Sequence, residues 1–113
     1  MTEEKIRVVM VCALGMSSSL LEAATIKAAE EAGVGFEMVS LSAQQMSIYD
    51  FDANLVDMIL VAPQVRFKRR SIRQMAEPRG IIVQDIEPVT YGMMDGEKLF
   101  QQILAAYQEK HGQ

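Results

Sequence analysis

The spacing of apolar and polar positions changes character several times along the chain. Ile6-Arg7-Val8-Val9-Met10-Val11 is nearly continuous apolar and rich in β-branched residues, which predicts a strand over about Lys5–Val11. From Ser17 or Ser18 the apolar positions recur every three or four residues, at Leu20/Leu21, Ala24, Ala28 and Ala32. That period belongs to a helix with Glu22, Lys27, Glu30 and Glu31 on its wet side, stopped by Gly33. A second strand is expected at Gly35–Ser40, then a short helix within Ser42–Tyr49, where Ser42 and Gln45 are spaced as a capping box. Leu55–Ala62 has the uninterrupted apolar character of a strand buried on both faces, and Pro63 ends it. A helix over about Arg66–Ala76 follows, closed by Pro78, then a fourth strand at Gly80–Gln84 and a turn-rich stretch, Asp85–Gly96. Leu99, Phe100, Ile103, Leu104 and Tyr107 give the last helix its apolar stripe, and residues 109–113 are expected to fray.

Strands alternating with helices over this length predict an α/β fold, a four-stranded parallel sheet flanked by helices. Right-handed crossovers bring every strand's C-terminal end to one edge, where ligands of such sheets bind. If the first and third strands are neighbours, the loops after Val11 and after Ala62 border one crevice. The 113 residues suit a single domain spanning 1–113, without repeat or linker.

Composition narrows the partners. Eleven basic against fifteen acidic residues give a net charge of −4, which argues against general nucleic-acid binding. The apolar run Val8–Leu14 is far shorter than the roughly 20 residues of a membrane span, and Glu3 and Glu4 stand where a signal peptide carries positive charge. A lone cysteine points to a reducing compartment. The expectation is a cytoplasmic protein. With one cysteine and one histidine far apart, a zinc site is not expected.

That cysteine, Cys12, lies where the first strand hands over to the first helix, in Cys12-Ala13-Leu14-Gly15-Met16-Ser17-Ser18-Ser19. A strand, a short loop of small residues and a helix N-terminus direct several backbone N–H groups at one point, which favours both a thiolate and a bound phosphoryl group. Gly15 permits the tight turn and the serines add hydroxyls, one of which can cap the helix. The dull alternative is a small buried core residue. Thiol phosphatases use C-x-x-x-x-x-R, whose arginine stabilises the transition state; here that position is Ser18, and no arginine occurs between Arg7 and Arg66. A thiol that takes phosphate without equipment to hydrolyse it suits a carrier. Asp85 and Asp95 remain open as acids for a leaving group, so a low-molecular-weight tyrosine phosphatase or an arsenate-reductase-like thiol enzyme stands as the alternative.

The loop, together with Ala62-Pro63-Gln64-Val65 and Tyr91-Gly92-Met93-Met94-Asp95-Gly96, resembles the IIB component of the lactose/cellobiose (N,N′-diacetylchitobiose) branch of the bacterial sugar phosphotransferase system. The likeness covers about residues 5–108. It departs where Ala62 replaces the usual glycine and in the basic character of Arg66–Arg73. The resemblance implies that Cys12 accepts a phosphoryl group from the phosphohistidine of a IIA protein. It implies delivery to a sugar held by the membrane IIC permease, with transient membrane association through IIC and no cofactor or metal. Ala13, Leu14, Gly15, Met16, Ser17, Ser18 and Ser19 would hold the phosphate. Pro63, Gln64, Tyr91 and Asp95 are candidates for the rim or for partner contact.

Outside these segments, Arg66, Lys68, Arg69, Arg70 and Arg73 form either a solvated helix face or a docking patch for an acidic partner or membrane surface. Met16 either fills core or offers adaptable apolar contact, Tyr91 either lines the rim or packs, and Asp95 either caps a helix or enters the site.

Overall fold

Valine, isoleucine and methionine at successive positions suit a strand covered on both faces, and β1 (Ile6–Cys12) is such a strand. In the computed structural model, which describes residues 5–13 and 16–111 (for Met16 and Ser17 the backbone alone), β1 is central. The remaining elements are α1 (Met16–Glu31), β2 (Phe36–Ser42), α2 (Ala43–Ile48), β3 (Met58–Val61), a 3₁₀ segment (Pro63–Lys68), α3 (Arg69–Ala76), a second 3₁₀ turn (Glu77–Arg79), β4 (Ile82–Asp85), α4 (Pro88–Gly92) and α5 (Gly96–His111). The sheet order is β2-β1-β3-β4 and every pairing is parallel, with Cys12 opposite Ser42 and Val11 opposite Val61. The expected α/β class is found, and β1 and β3 are neighbours.

Right-handed crossovers decide which helix covers which face. The chain steps one way from β1 to β2 and the other way from β2 through β3 to β4, so α1 lies on one face and α2 and α3 on the other. Helix α5 joins α1, and their contact is close. A Cβ on Gly96 would stand 2.3 Å from the Ala24 carbonyl carbon and 2.5 Å from the Thr25 nitrogen. Only glycine allows that approach.

The differences from the pattern-based expectations have local causes. Leu20 is half exposed and Ala32 is exposed, while Thr25 and Ala29 are fully buried. The helix is rolled so that small residues face α5, and the buried Thr25 hydroxyl donates to the Leu21 carbonyl at 2.7 Å. The expected helix at Arg66 is preceded by the 3₁₀ segment, because Pro63 sits at its first position and Val65 leaves helical geometry at φ −121°. The turn-rich stretch holds the short helix α4, which also starts on a proline. The Ser42–Gln45 capping box forms as expected, through Ser42 Oγ accepting from Gln45 N–H at 3.1 Å and Gln45 Oε1 accepting from Ser42 N–H at 2.8 Å. Helix α5 continues through His111, whose ring lies 4.4 Å from that of Tyr107; Gly112 and Gln113 lie outside the described residues.

Candidate functional site

Cys12 is the last residue of β1, held between Ser42 of β2 and the segment after β3. Ala62 N–H donates to the Val11 carbonyl at 2.9 Å, which fixes the Pro63-Gln64 turn beside the end of β1. The ends of β1 and β3 therefore lie side by side at one edge of the sheet. Leu14 and Gly15 lie outside the described residues, as do the side chains of Met16 and Ser17.

The thiol does not stand open at the mouth of the loop. Cys12 is 2% exposed, with Sγ donating to the Leu41 carbonyl at 3.7 Å. The next residue, Ala13, is exposed. On the α1 side Ser18 is buried, and Ser19 is exposed.

Tyr91 ties the site together. It is buried at 7% exposure in the short helix α4, far along the sequence from Cys12. Burial pushes its hydroxyl above the ordinary tyrosine range, and the negative charge of Cys12 pushes it the same way. Hydrogen bonds between its hydroxyl and the side chains of Ser18 and Gln64 act in the opposite direction. Cys12, Ser18, Gln64 and Tyr91 are thereby gathered at the C-terminal edge of β1 and β3. Tyr91 packs, and its hydroxyl feels the charge of Cys12.

Other candidates have different duties. Asp95 caps α5, its Oδ1 accepting from Lys98 N–H at 3.0 Å. Asp85 ends the edge strand β4 and is ion-paired with Arg69, two strands from β1 and so about 10 Å across the sheet. Asp95 is engaged as a helix cap, while Asp85 is paired through Oδ2 and keeps its Oδ1 buried without a partner among the described residues. Pro63 is half-buried and Gln64 exposed at the rim. Among the described residues no cluster of His, Cys, Asp and Glu is arranged to hold a metal, and no helix is long and apolar enough to cross a membrane.

What the pattern of residues did not reveal is the exposed apolar surface around this end. Leu20, Val89 and Met93 are exposed, on α1, in α4 and just after it. Leu20 has the same type and period as the core positions, so only the roll of α1 distinguishes it.

Comparison with known proteins agrees with this arrangement. Residues 7–102 match the family model described as PTS system, lactose/cellobiose specific IIB subunit. A galactose-specific EIIB component from Lactococcus lactis subsp. cremoris is 33% identical over 81% of this chain and 87% of its own length. An oligo-beta-mannoside-specific EIIB component from Bacillus subtilis is 28% identical over 88% and 93%. Among solved structures, the cellobiose-specific IIB component of Borrelia burgdorferi superposes with a TM-score of 0.74 at 29% identity, covering 95% of each chain. The lactose-specific IIB domain of Streptococcus pneumoniae reaches 0.80 at 25% identity, covering 93% of this chain and 100% of that one. The phosphatase alternative is not favoured by any of these. With its parallel sheet, its cysteine at the end of β1 and a match spanning most of its length, the chain belongs to the lactose/cellobiose-specific IIB family of the sugar phosphotransferase system, whose members are phosphotransferases acting as phosphocarriers.

Proposed function

We propose that Cys12 is the residue that carries the phosphoryl group, taking it from the phosphohistidine of a IIA protein and giving it to a sugar bound by a membrane IIC permease. The Cys12 sulfur attacks phosphorus, the S–P bond forms as the P–N bond breaks, and the departing histidine nitrogen takes the thiol proton. In the second step a sugar hydroxyl oxygen attacks the same phosphorus, the O–P bond forms as the S–P bond breaks, and the departing sulfur takes the hydroxyl proton, which restores the thiol. The loop Ala13–Ser19 supplies the main-chain and hydroxyl donors for the phosphoryl oxygens, with Ser18 buried on the α1 side. Gln64 and Pro63 form the rim that a partner meets. The reading is of one domain working in the cytoplasm and reaching the membrane through IIC.

The observation that carries this reading is the convergence of Cys12, Ser18, Gln64 and Tyr91 from four separate segments. Because the thiol is covered, transfer also requires a partner to uncover it. That makes the sulfur slow to react with bulk reagents and selective for a docked donor.

Incubation with the phosphorylated general carrier and a IIA protein, followed by intact-mass measurement, tests the proposal. The expected result is a stable gain of one phosphoryl group, absent in Cys12→Ser. Fast turnover of an aryl phosphate with no carrier present would replace the relay by a phosphatase.

A further inference from the structure

We propose that the cationic strip formed by Arg66, Lys68, Arg70 and Arg73 around the side chain of Phe67 is the docking surface for the phosphohistidine-bearing donor, through an acidic surface on that protein. The inference rests on the carrier reading above.

The strip occupies the 3₁₀ segment and α3, and each of its cations is exposed. Helix α3 turns Ile72 and Ala76 into the core, which leaves Arg70 and Arg73, three positions apart, together on the solvent side. Arg69 is neutralised by Asp85, whereas no carboxylate among the described residues is in ion-pair contact with Arg66, Lys68, Arg70 or Arg73. The positive strip stands on a chain whose net charge is −4, so it is a local feature and not general basicity. Phe67 at its centre is 75% exposed, with the Lys68 ammonium 6.0 Å from its ring. An exposed aromatic residue with arginines close by in the chain matches the make-up of a protein docking patch.

Position points to the same use. Gln64, two residues before Arg66, lies in the turn that the Ala62 N–H bond to the Val11 carbonyl fixes beside the end of β1, so a protein seated on the strip has its edge near the thiol. Charge selects which partner. Cytoplasmic loops of a membrane protein carry an excess of lysine and arginine, and these would repel the strip. Anionic lipid would attract it, but a single exposed Phe67 inserts little apolar area and the chain's overall charge opposes approach. A phosphorylated donor brings negative charge with it and gains a faster encounter.

The test compares the full-length chain with the triple variant Arg66→Glu, Arg70→Glu, Arg73→Glu, all at exposed positions, after circular dichroism confirms equal melting temperatures. The rate of phosphoryl gain from phosphorylated IIA is followed by quenched intact mass at low and high salt. The expected result is a fall of about tenfold or more at low salt and loss of the wild-type salt dependence. An unchanged rate with an unchanged salt slope overturns the docking surface while leaving the carrier reading intact. So does a defect confined to sugar phosphorylation by IIC vesicles, or to binding of phosphatidylserine vesicles. Calorimetric titration of phosphorylated IIA into Cys12→Ser, with and without the three reversals, reads docking without transfer. Binding lost on reversal, together with a wild-type chain that gains no phosphate from the same donor, keeps the surface and removes the carrier reading.

Discussion

The two faces of the sheet are packed differently. On the α1–α5 face the helices are in backbone contact at Gly96, and Leu21, Thr25, Ala29, Leu99 and Ile103 are fully buried. On the opposite face a cavity of about 400 Å³ opens between α2 and α3, floored by Val11, Met46, Ile72 and Met75 with Lys68 and Arg79 among its polar walls. The thiol belongs to neither the cavity nor its lining. A group passed from protein to protein needs a fixed backbone edge more than it needs an enclosed chamber for a small molecule. The tight face includes α1, whose first turn borders Cys12; the loose face carries α3 and its exposed charges. Positioning and partner contact are thus assigned to opposite sides of one sheet.

The largest expected effect comes from removing the close approach on the tight face. Gly96→Ala places a methyl group into the Ala24–Thr25 backbone, and the helices must separate to admit it. Overpacking against backbone predicts a loss of about 3 kcal/mol, or roughly 10 °C in Tm for a domain of this size. Gly92→Ala, where a Cβ meets nothing within 4 Å, is the matched control with a change near zero. Calorimetric melts of both variants check this, and equal melts would mean that α1 and α5 are less tightly joined than described.

Truncations of intermediate effect sharpen the contrast. Leu21→Ala on the tight face should cost about 2–3 kcal/mol, because its surroundings relax little into the space left. Met46→Ala borders the existing cavity, already has few partners on that side, and should cost about 1–2 kcal/mol. Urea unfolding of the pair measures the difference, and similar costs would erase the distinction between the faces.

Much of this arrangement was legible from residue pattern, for reasons that differ by element. Strands β1 and β3 announce themselves because both faces are covered and the sequence is apolar without interruption. The capping box at Ser42 depends on neighbours in sequence and so could be read directly. Helix α4 could not be read in this way, since five residues starting at Pro88 carry no period. The roll of α1 depends on Gly96, which is remote in sequence, so Leu20 and Thr25 exchange the roles that periodicity assigns them. At the site, Cys12 and the Pro63-Gln64 segment follow from strand order. The covering of the thiol and the burial of Tyr91 are tertiary facts with no local signature.

The smallest effect isolates Tyr91, the residue that joins α4 to the thiol edge. Burial and the charge of Cys12 hold its hydroxyl pKa above the ordinary value, which is about 10. Below that value tyrosine is neutral in the folded and unfolded chains alike, and Tyr91 contributes no pH dependence. As pH rises past it, the unfolded chain releases the proton while folded Tyr91 retains it. The folded state then binds more protons, and its stability falls with increasing pH. Tyr91→Phe should remove that alkaline slope, as measured by denaturant unfolding across the alkaline range. Placing a phosphoryl group on Cys12 adds negative charge near the same hydroxyl, so ultraviolet titration of the phosphorylated protein should move Tyr91 ionisation higher still. If Tyr91→Phe keeps the full wild-type slope, the hydroxyl is not held in buried surroundings near a negative charge, and the link between α4 and the thiol edge is broken.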